Sequence, residues 1–510
     1  MTVNSSDEAD AFRRGLPADR YRFVELVERG RSDWLASACR KGIRCDVLIV
    51  SGHYDGVGMF FSDRVDADEH LPVAELERAA CSDSCPGLFE GLRQVYLFGC
   101  HTLGAEGMTS SGDGQGGALA LAGEAADDAV RSSGAAARYG ESSRERMRRL
   151  FRDVPAIHGF ASTAPLGPAA GDVLARYFRA NGTAEIGASR ASTRLLAAFA
   201  DHSMTSAPGI TRRDPAMARR EDVCRFQDDR LDAGRKATFV HEILRRGAAD
   251  TRAYLDHVEQ FLRGVQERGD DAVLDAIAAD RETRERFLAQ TAMQPDPALR
   301  ARLIALAHAV GWLDAQEQRA AWAQLLVERL DRGGGAADVA LACRLGRDGA
   351  LASEIPRLRA AGRSTARDAM LACIGDESSR GAVIDALLQG RADEQQMAAV
   401  LLQYRPLDDT GEYRVVAQGI ARLPTSEAQV HALAALTGHA TPDPASLASL
   451  AATFAATRSL AVQRGVANVM LRADVSALAG TRLAQTLREY RIRSPEGRDV
   501  IDVLIRRIEQ

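Results

Sequence analysis

The sequence predicts an α/β domain, a mostly parallel sheet with helices on both faces, followed by an all-α helical-repeat (α-solenoid) domain. Three observations predict it. The 510 residues exceed the roughly 250–300 at which a single hydrophobic core stops growing. Up to about Leu231, short apolar runs alternate with helical stretches, the grammar of a sheet covered on both sides. Beyond about Arg235, helix follows helix with no strand pattern between.

In chain order, Asp33 to Arg40 reads as a helix and Arg44 to Ser51 as a short β-branched strand. Val57 to Ser62 reads as a shorter strand and Pro72 to Ala80 as a helix. Leu92 to Phe98 is a further strand. Glu141 to Arg152 is helical and leads into the strand Val154 to Ala161. The span Ser110 to Gly117 is glycine-rich and reads as a flexible loop. No Gly-Lys-Ser/Thr follows it, so it is not a phosphate loop. Ser206 to Arg235, rich in Arg and Asp, reads as an exposed linker with one short helix. The division expected is 1–205, a linker 206–235, and 236–510.

The second half is punctuated as helices are. Trp322, Leu325, Leu326 and Leu330 share one helical face, as do Met370, Cys373 and Ile374, and Val383, Ile384 and Leu387. Asp443-Pro444 and Ser494-Pro495 place a capping side chain before a first-turn proline. Ser426 with Gln429 resembles a capping box. Gly333 to Gly335 and Pro406 mark breaks. Stacked helical pairs explain this pattern, with an irregular helical bundle as the alternative.

Composition narrows the function. A net charge of −5 gives no global attraction to nucleic acid or an anionic membrane, and 5% aromatic residues supply no stacking platform. No stretch has the roughly 20 apolar residues that cross a bilayer. The polar start, Met1 to Glu8, lacks a secretory pattern, so a cytoplasmic setting is expected. There the eight cysteines are expected as reduced thiols. Cys81, Cys85 and His70 have no second matching pair for zinc, so no metal and no cofactor is expected. Arg212, Arg213, Arg219 and Arg220 lie among acids and read as solvated.

His53 and Cys100 each stand just past a predicted strand, in Ser51-Gly52-His53-Tyr54 and Phe98-Gly99-Cys100-His101. In a parallel sheet the carboxyl ends share one edge, where open α/β sheets bind ligands. Two residues so placed meet in space despite their separation in sequence. A thiolate with a nearby imidazole performs acyl transfer: sulfur attacks a carbonyl and the ring carries the proton to the leaving amine. Alone, Cys100 reads as a buried thiol and His53 as a loop histidine; together they read as a dyad. His101 and His158 read as structural.

These residues resemble the caspase-like (clan CD) cysteine peptidases, above all the bacterial CHAT domain. The matching stretches, in order, are Asp46 to His53, Gly58 to Asp63 through Leu71 to Leu76, Val95 to Cys100, and Ile157 to Ala161 through Leu174 to Phe178. Roughly residues 20–205 are covered, and the interval from His53 to Cys100 suits the spacing of about 50 in caspases. The family has Gly after the histidine, where a backbone N–H holds the oxyanion; this chain has Tyr54. The acid that metacaspases place two residues before the cysteine is absent, since Phe98 stands there.

The resemblance implies catalytic His53 and Cys100, with the Tyr54 and Cys100 amides as oxyanion donors. It implies an endopeptidase that cuts a partner protein in a bacterial stress or antiphage response, with the helical region binding a protein regulator. The alternative is an inactive caspase-like adaptor. Ser110 to Gly117, close behind the nucleophile, is expected to be a partner-ordered switch or a surface insertion without a role.

Overall fold

The structure is a computed structural model. It describes residues 6–27, 33–54, 58–61, 70–81, 85–105, 142–165, 167–228, 230–407, 409–437, 443–473, 483–492 and 500–509. The span Ser110 to Gly117 and the Ser494-Pro495 cap lie outside them.

Three apolar segments form parallel strands: β1 (Val47–Ser51), β5 (Gln94–Phe98) and β6 (Ala156–Phe160). In register, Ser51 faces Phe98 and Tyr96 faces His158. Between β1 and β5 the chain makes a small antiparallel sheet of β2 (His53–Tyr54), β3 (Met59–Phe61) and β4 (His70–Pro72). The main sheet runs β1-β5-β6-β7, and its last strand, β7 (Met204–Ala207), is antiparallel to β6.

Side chains alternate across the strands, so each face acquires its own core. Leu48, Val50, Val95, Leu97 and Ile157 pack with Trp34, Leu35, Leu76 and Met147. These come from α2 (Trp34–Arg40), α3 (Val73–Cys81) and α5 (Ser143–Leu150), with the short α4 (Pro86–Phe89) alongside. Tyr96, Phe98 and Phe160 pack on the other face with Phe12, Leu174, Phe178, Leu195 and Phe199. Those come from α1 (Ser6–Gly15), α6 (Gly167–Arg179) and α7 (Thr193–Ala198), with Phe199 just after α7. Helices therefore cover both faces, which is why these strands read as continuous apolar runs.

Residues 206–235 are not a linker. Ser206 and Ala207 pair with His158 and Ile157 in the sheet. They are followed by α8 (Ala216–Gln227), which packs on α3 and α5, and the start of α9 (Ala233–Arg246). Arginine composition misled the reading. Arg220 turns inward and donates to the carbonyls of Ala80 and Arg149, at 2.8 and 3.2 Å, and Arg219 donates to the carbonyl of Ala253. The following helix, α10 (Ala248–Arg268), brings His257 within 3.2 Å of the buried Glu77 of α3, which also pairs with Arg149 at 2.8 Å. Accordingly the first compact unit runs to Thr291, and the second from Ala292 to Gln510, not from residue 236.

Within the second unit, helices Ala336–Leu345, Thr365–Cys373, Ala392–Tyr404, Ser426–Leu436, Leu460–Leu471 and Val500–Glu509 pack each on the next. A second row, Arg380–Gln389, Thr410–Gly419, Pro444–Ala456 and Leu483–Tyr490, does the same. Among the described residues the second unit is thus built of helices laid in two rows. Leu325, Leu326, Val383, Ile384, Leu387, Met370, Cys373 and Ile374 are buried. Asp443 caps its helix by accepting from the amides of Ala445 and Ser446. The cap expected at Ser426 is at Thr425, which accepts from the Ala428 amide, while Gln429 reaches the Ile420 carbonyl. Gly333 and Gly334 take positive φ between two helices.

Six cysteines expected as reduced thiols are paired: Cys39 with Cys85, Cys81 with Cys224, and Cys343 with Cys373. Their partners are distant in sequence, so spacing gave no sign of them. Cys45 and Cys100 are free. Paired cysteines are rare in a reducing cytosol, so they weigh against the expected cytoplasmic setting. Among the described residues no helix is long and apolar enough to cross a membrane.

Candidate active site

His53 and Cys100 leave the sheet at the same edge, side by side. β1 and β5 are adjacent and parallel, Ser51 faces Phe98, and the Gly52 amide donates to the Phe98 carbonyl at 3.3 Å. Beyond this pair the chain continues as Gly52-His53 after β1 and as Gly99-Cys100 after β5. Gly99 makes the approach possible. A Cβ built on it would lie 3.1 Å from the Gly52 oxygen and 3.2 Å from the Tyr54 nitrogen, the peptide groups flanking His53. Any side chain at position 99 would part the two turns.

Tyr54 follows His53 directly, and packing explains the bulky residue there. The residue is buried, and its ring lies 4.7 Å from that of Phe60, in the core beneath the small sheet. Its side chain anchors the turn from below while its amide stays at the edge beside Gly99.

The turn after β5 is held by backbone and one hydroxyl. Thr102, fully buried, accepts from the Phe160 amide at 3.1 Å, and its hydroxyl lies 3.1 Å from the Gly99 carbonyl. Leu103 donates to the Phe160 carbonyl at 3.0 Å, and Gly159 leaves the room that Thr102 and Leu103 occupy. His101 takes a left-handed φ of 56° and donates its amide to the Ser162 carbonyl at 2.8 Å.

Cys100 is half-buried. Burial pushes its thiol up, while the amides of Ala164 and of Cys100 itself pull the other way. The Ala164 amide donates to Cys100 Sγ at 3.3 Å. A sulfur so placed rests as a thiol and becomes a nucleophile when a base removes its proton.

His158 is a core residue, as expected. It is fully buried, stacks on Tyr96 at 4.7 Å, and accepts from the Ser192 amide at 2.9 Å. Burial lowers its pKa to about 4, so the ring is neutral. Cys81 and Cys85 belong to two different disulfides, which removes them as thiolate ligands for a metal.

Sequence reading missed Thr102, Ala164 and Ser203. Thr102 is two residues from Cys100 and was open to notice. Ala164 and Ser203 carry no motif and reach the site only through the sheet order β5-β6-β7. Comparison with family models, curated proteins and solved structures gave no match.

Proposed function

We propose that this chain is a cysteine endopeptidase of caspase-like type. His53 and Cys100 form its dyad, and its helical region takes a protein substrate or regulator. The observation that supports this most directly is the meeting of Gly99 with the backbone on both sides of His53. The chemistry follows from the residue types. His53 takes the thiol proton of Cys100, and the sulfur attacks the carbonyl carbon of a peptide bond. The amides of Tyr54 and Cys100 stabilise the oxyanion. The imidazole returns the proton to the departing amine, and water hydrolyses the thioester.

The stacked helices of Ala292–Gln510 give an extended surface of the kind that repeat proteins use for partners. A bacterial stress or antiphage setting belongs to the same proposal.

One observation favours a second reading, an inactive adaptor: burial of Cys100 holds its sulfur as a thiol at rest. Labelling of the full chain with a thiol-reactive peptide electrophile separates the two. The peptidase reading expects attachment at Cys100, abolished by His53→Ala. Equal labelling of wild type and His53→Ala overturns the dyad.

A further inference from the structure

We propose that the segment Ser162–Pro165, after β6, belongs to the machinery of the nucleophile. The Ala164 N–H holds Cys100 Sγ and stabilises its thiolate, and Ser203 is the positioning residue that keeps this amide aimed. The inference deepens the reading of Cys100 as a nucleophile and rests on it, although ionisation of the thiol is measurable without any peptide substrate.

The segment closes a small ring around the cysteine. From Cys100 the chain passes to His101, whose amide donates to the Ser162 carbonyl at 2.8 Å. Two residues on, Ala164 donates back to Cys100 Sγ at 3.3 Å. The ring is fastened to the sheet from outside. Ser203 accepts from the Ser162 amide through its hydroxyl at 3.1 Å and from the Ala161 amide through its carbonyl at 3.1 Å. The Ser162 and Ser203 hydroxyls also bond to each other. Ser203 sits in the left-handed region with φ 53°, at the turn into β7. A non-glycine residue held there is a conformation that surrounding structure must support.

The chemistry of the segment fits the role. Ala161-Ser162-Thr163-Ala164-Pro165 contains no ionisable side chain, so its contribution to an anionic sulfur is the amide donor itself. A hydrogen bond to a charged acceptor is roughly twice as strong as one to a neutral acceptor. The Ala164 bond therefore tightens as the proton leaves Sγ for the His53 imidazole. The ionisable residues of the neighbouring segments are His53, His101, and Asp201 and His202 before Ser203.

The test is the rate of iodoacetamide alkylation of Cys100 against pH in the full chain, read by peptide mass spectrometry. Cys45, the other free thiol, is the internal control. Ala164→Pro deletes the N–H. It is expected to raise the midpoint of the Cys100 profile by about one pH unit and to slow alkylation at neutral pH about tenfold. Ser203→Ala loosens the aim and is expected to slow it about threefold in the same direction. Cys45 keeps its wild-type rate in both. If Ala164→Pro unfolds, exposing Cys45, then Ser203→Ala decides alone. Unchanged Cys100 profiles with an intact Cys45 control overturn the inference. Shifted profiles in a protein that cleaves no peptide sink the peptidase reading and leave the inference standing.

Discussion

Gly99 lies against Tyr54 so closely that a Cβ on the glycine would come within 2.8 Å of the tyrosine Cβ. This contact joins the turn that carries Cys100 to the strand β2 that carries His53. Gly99→Ala forces the two apart. Overpacking of this kind costs about 1–3 kcal/mol. The expected result is a stability loss in that range in denaturant melts, together with at least a tenfold fall in electrophile labelling of Cys100. Full labelling in a folded Gly99→Ala protein would show that the close approach is not needed.

Cys100 stands on the turn after β5 and His53 begins the two-residue strand β2, and both are only half-buried, so their truncation opens no large cavity. Cys100→Ser and His53→Ala are expected to abolish cleavage of any accepted substrate while shifting the melting temperature by no more than about 2 °C. That corresponds to roughly 1 kcal/mol or less in a unit of this size. A variant that unfolds, or one that keeps full activity, contradicts the assignment.

Acid should destabilise the first unit through His158. Its folded pKa is about 4 because burial disfavours the charged ring, against roughly 6.5 in the unfolded chain. Above pH 6.5 both states are neutral and the group contributes no pH dependence. As pH falls from about 6.5 to 4, the unfolded chain takes up a proton that the folded one refuses, and stability drops by about 3 kcal/mol. Glu77 acts in a different window. Burial pushes its carboxyl up, but Arg149 and His257 outweigh that and hold it well below the usual range, so its contribution is lost below about pH 4.5. Urea melts from pH 7 to pH 4 should show the first loss, flattened in His158→Gln. A flat wild-type profile over that interval would exclude a neutral buried His158.

The buried ion pair Glu77–Arg149, 2.8 Å apart and nearly inaccessible on both sides, should behave as breakable but not replaceable one residue at a time. Glu77→Ala leaves the guanidinium without its carboxylate and is expected to cost about 3–5 kcal/mol. Chemical denaturation of the variant measures it. A loss under about 1 kcal/mol would mean that solvent reaches the pair.

Thiol counting checks the disulfides. The three pairs leave two free thiols, Cys45 and Cys100, to react in denaturant without reductant. Cys81–Cys224 closes the longest loop, 143 residues apart in sequence, for which chain-entropy models give about 5 kcal/mol. Reduction is therefore expected to lower the melting temperature. Eight reactive thiols in protein purified under oxidising conditions would contradict the pairing.

The strands around the candidate site were legible because their residues must satisfy two apolar faces at once. Val47 to Ser51, Gln94 to Phe98 and Ala156 to Phe160 show that requirement as largely apolar runs, with Ser51, Gln94 and His158 the polar exceptions. The shared edge for His53 and Cys100 followed from parallel order alone. The helical faces at Leu325, Val383 and Leu387, and the Asp443 cap, were equally local signals and equally readable.

What lay beyond reach was decided by contacts between distant segments. Composition made 206–235 a linker because an arginine reads as solvated, yet Arg220 finds buried carbonyls at Ala80 and Arg149 that exist only once α3 and α5 have packed. The cysteine pairs, the antiparallel Met204–Ala207 strand, and the Ala164 amide on Cys100 are of the same kind. Each depends on which segments the sheet order brings together. A sequence records the preferences of each segment by itself. Pairing energy arises only when two segments occupy one place, and that is settled by the tertiary fold.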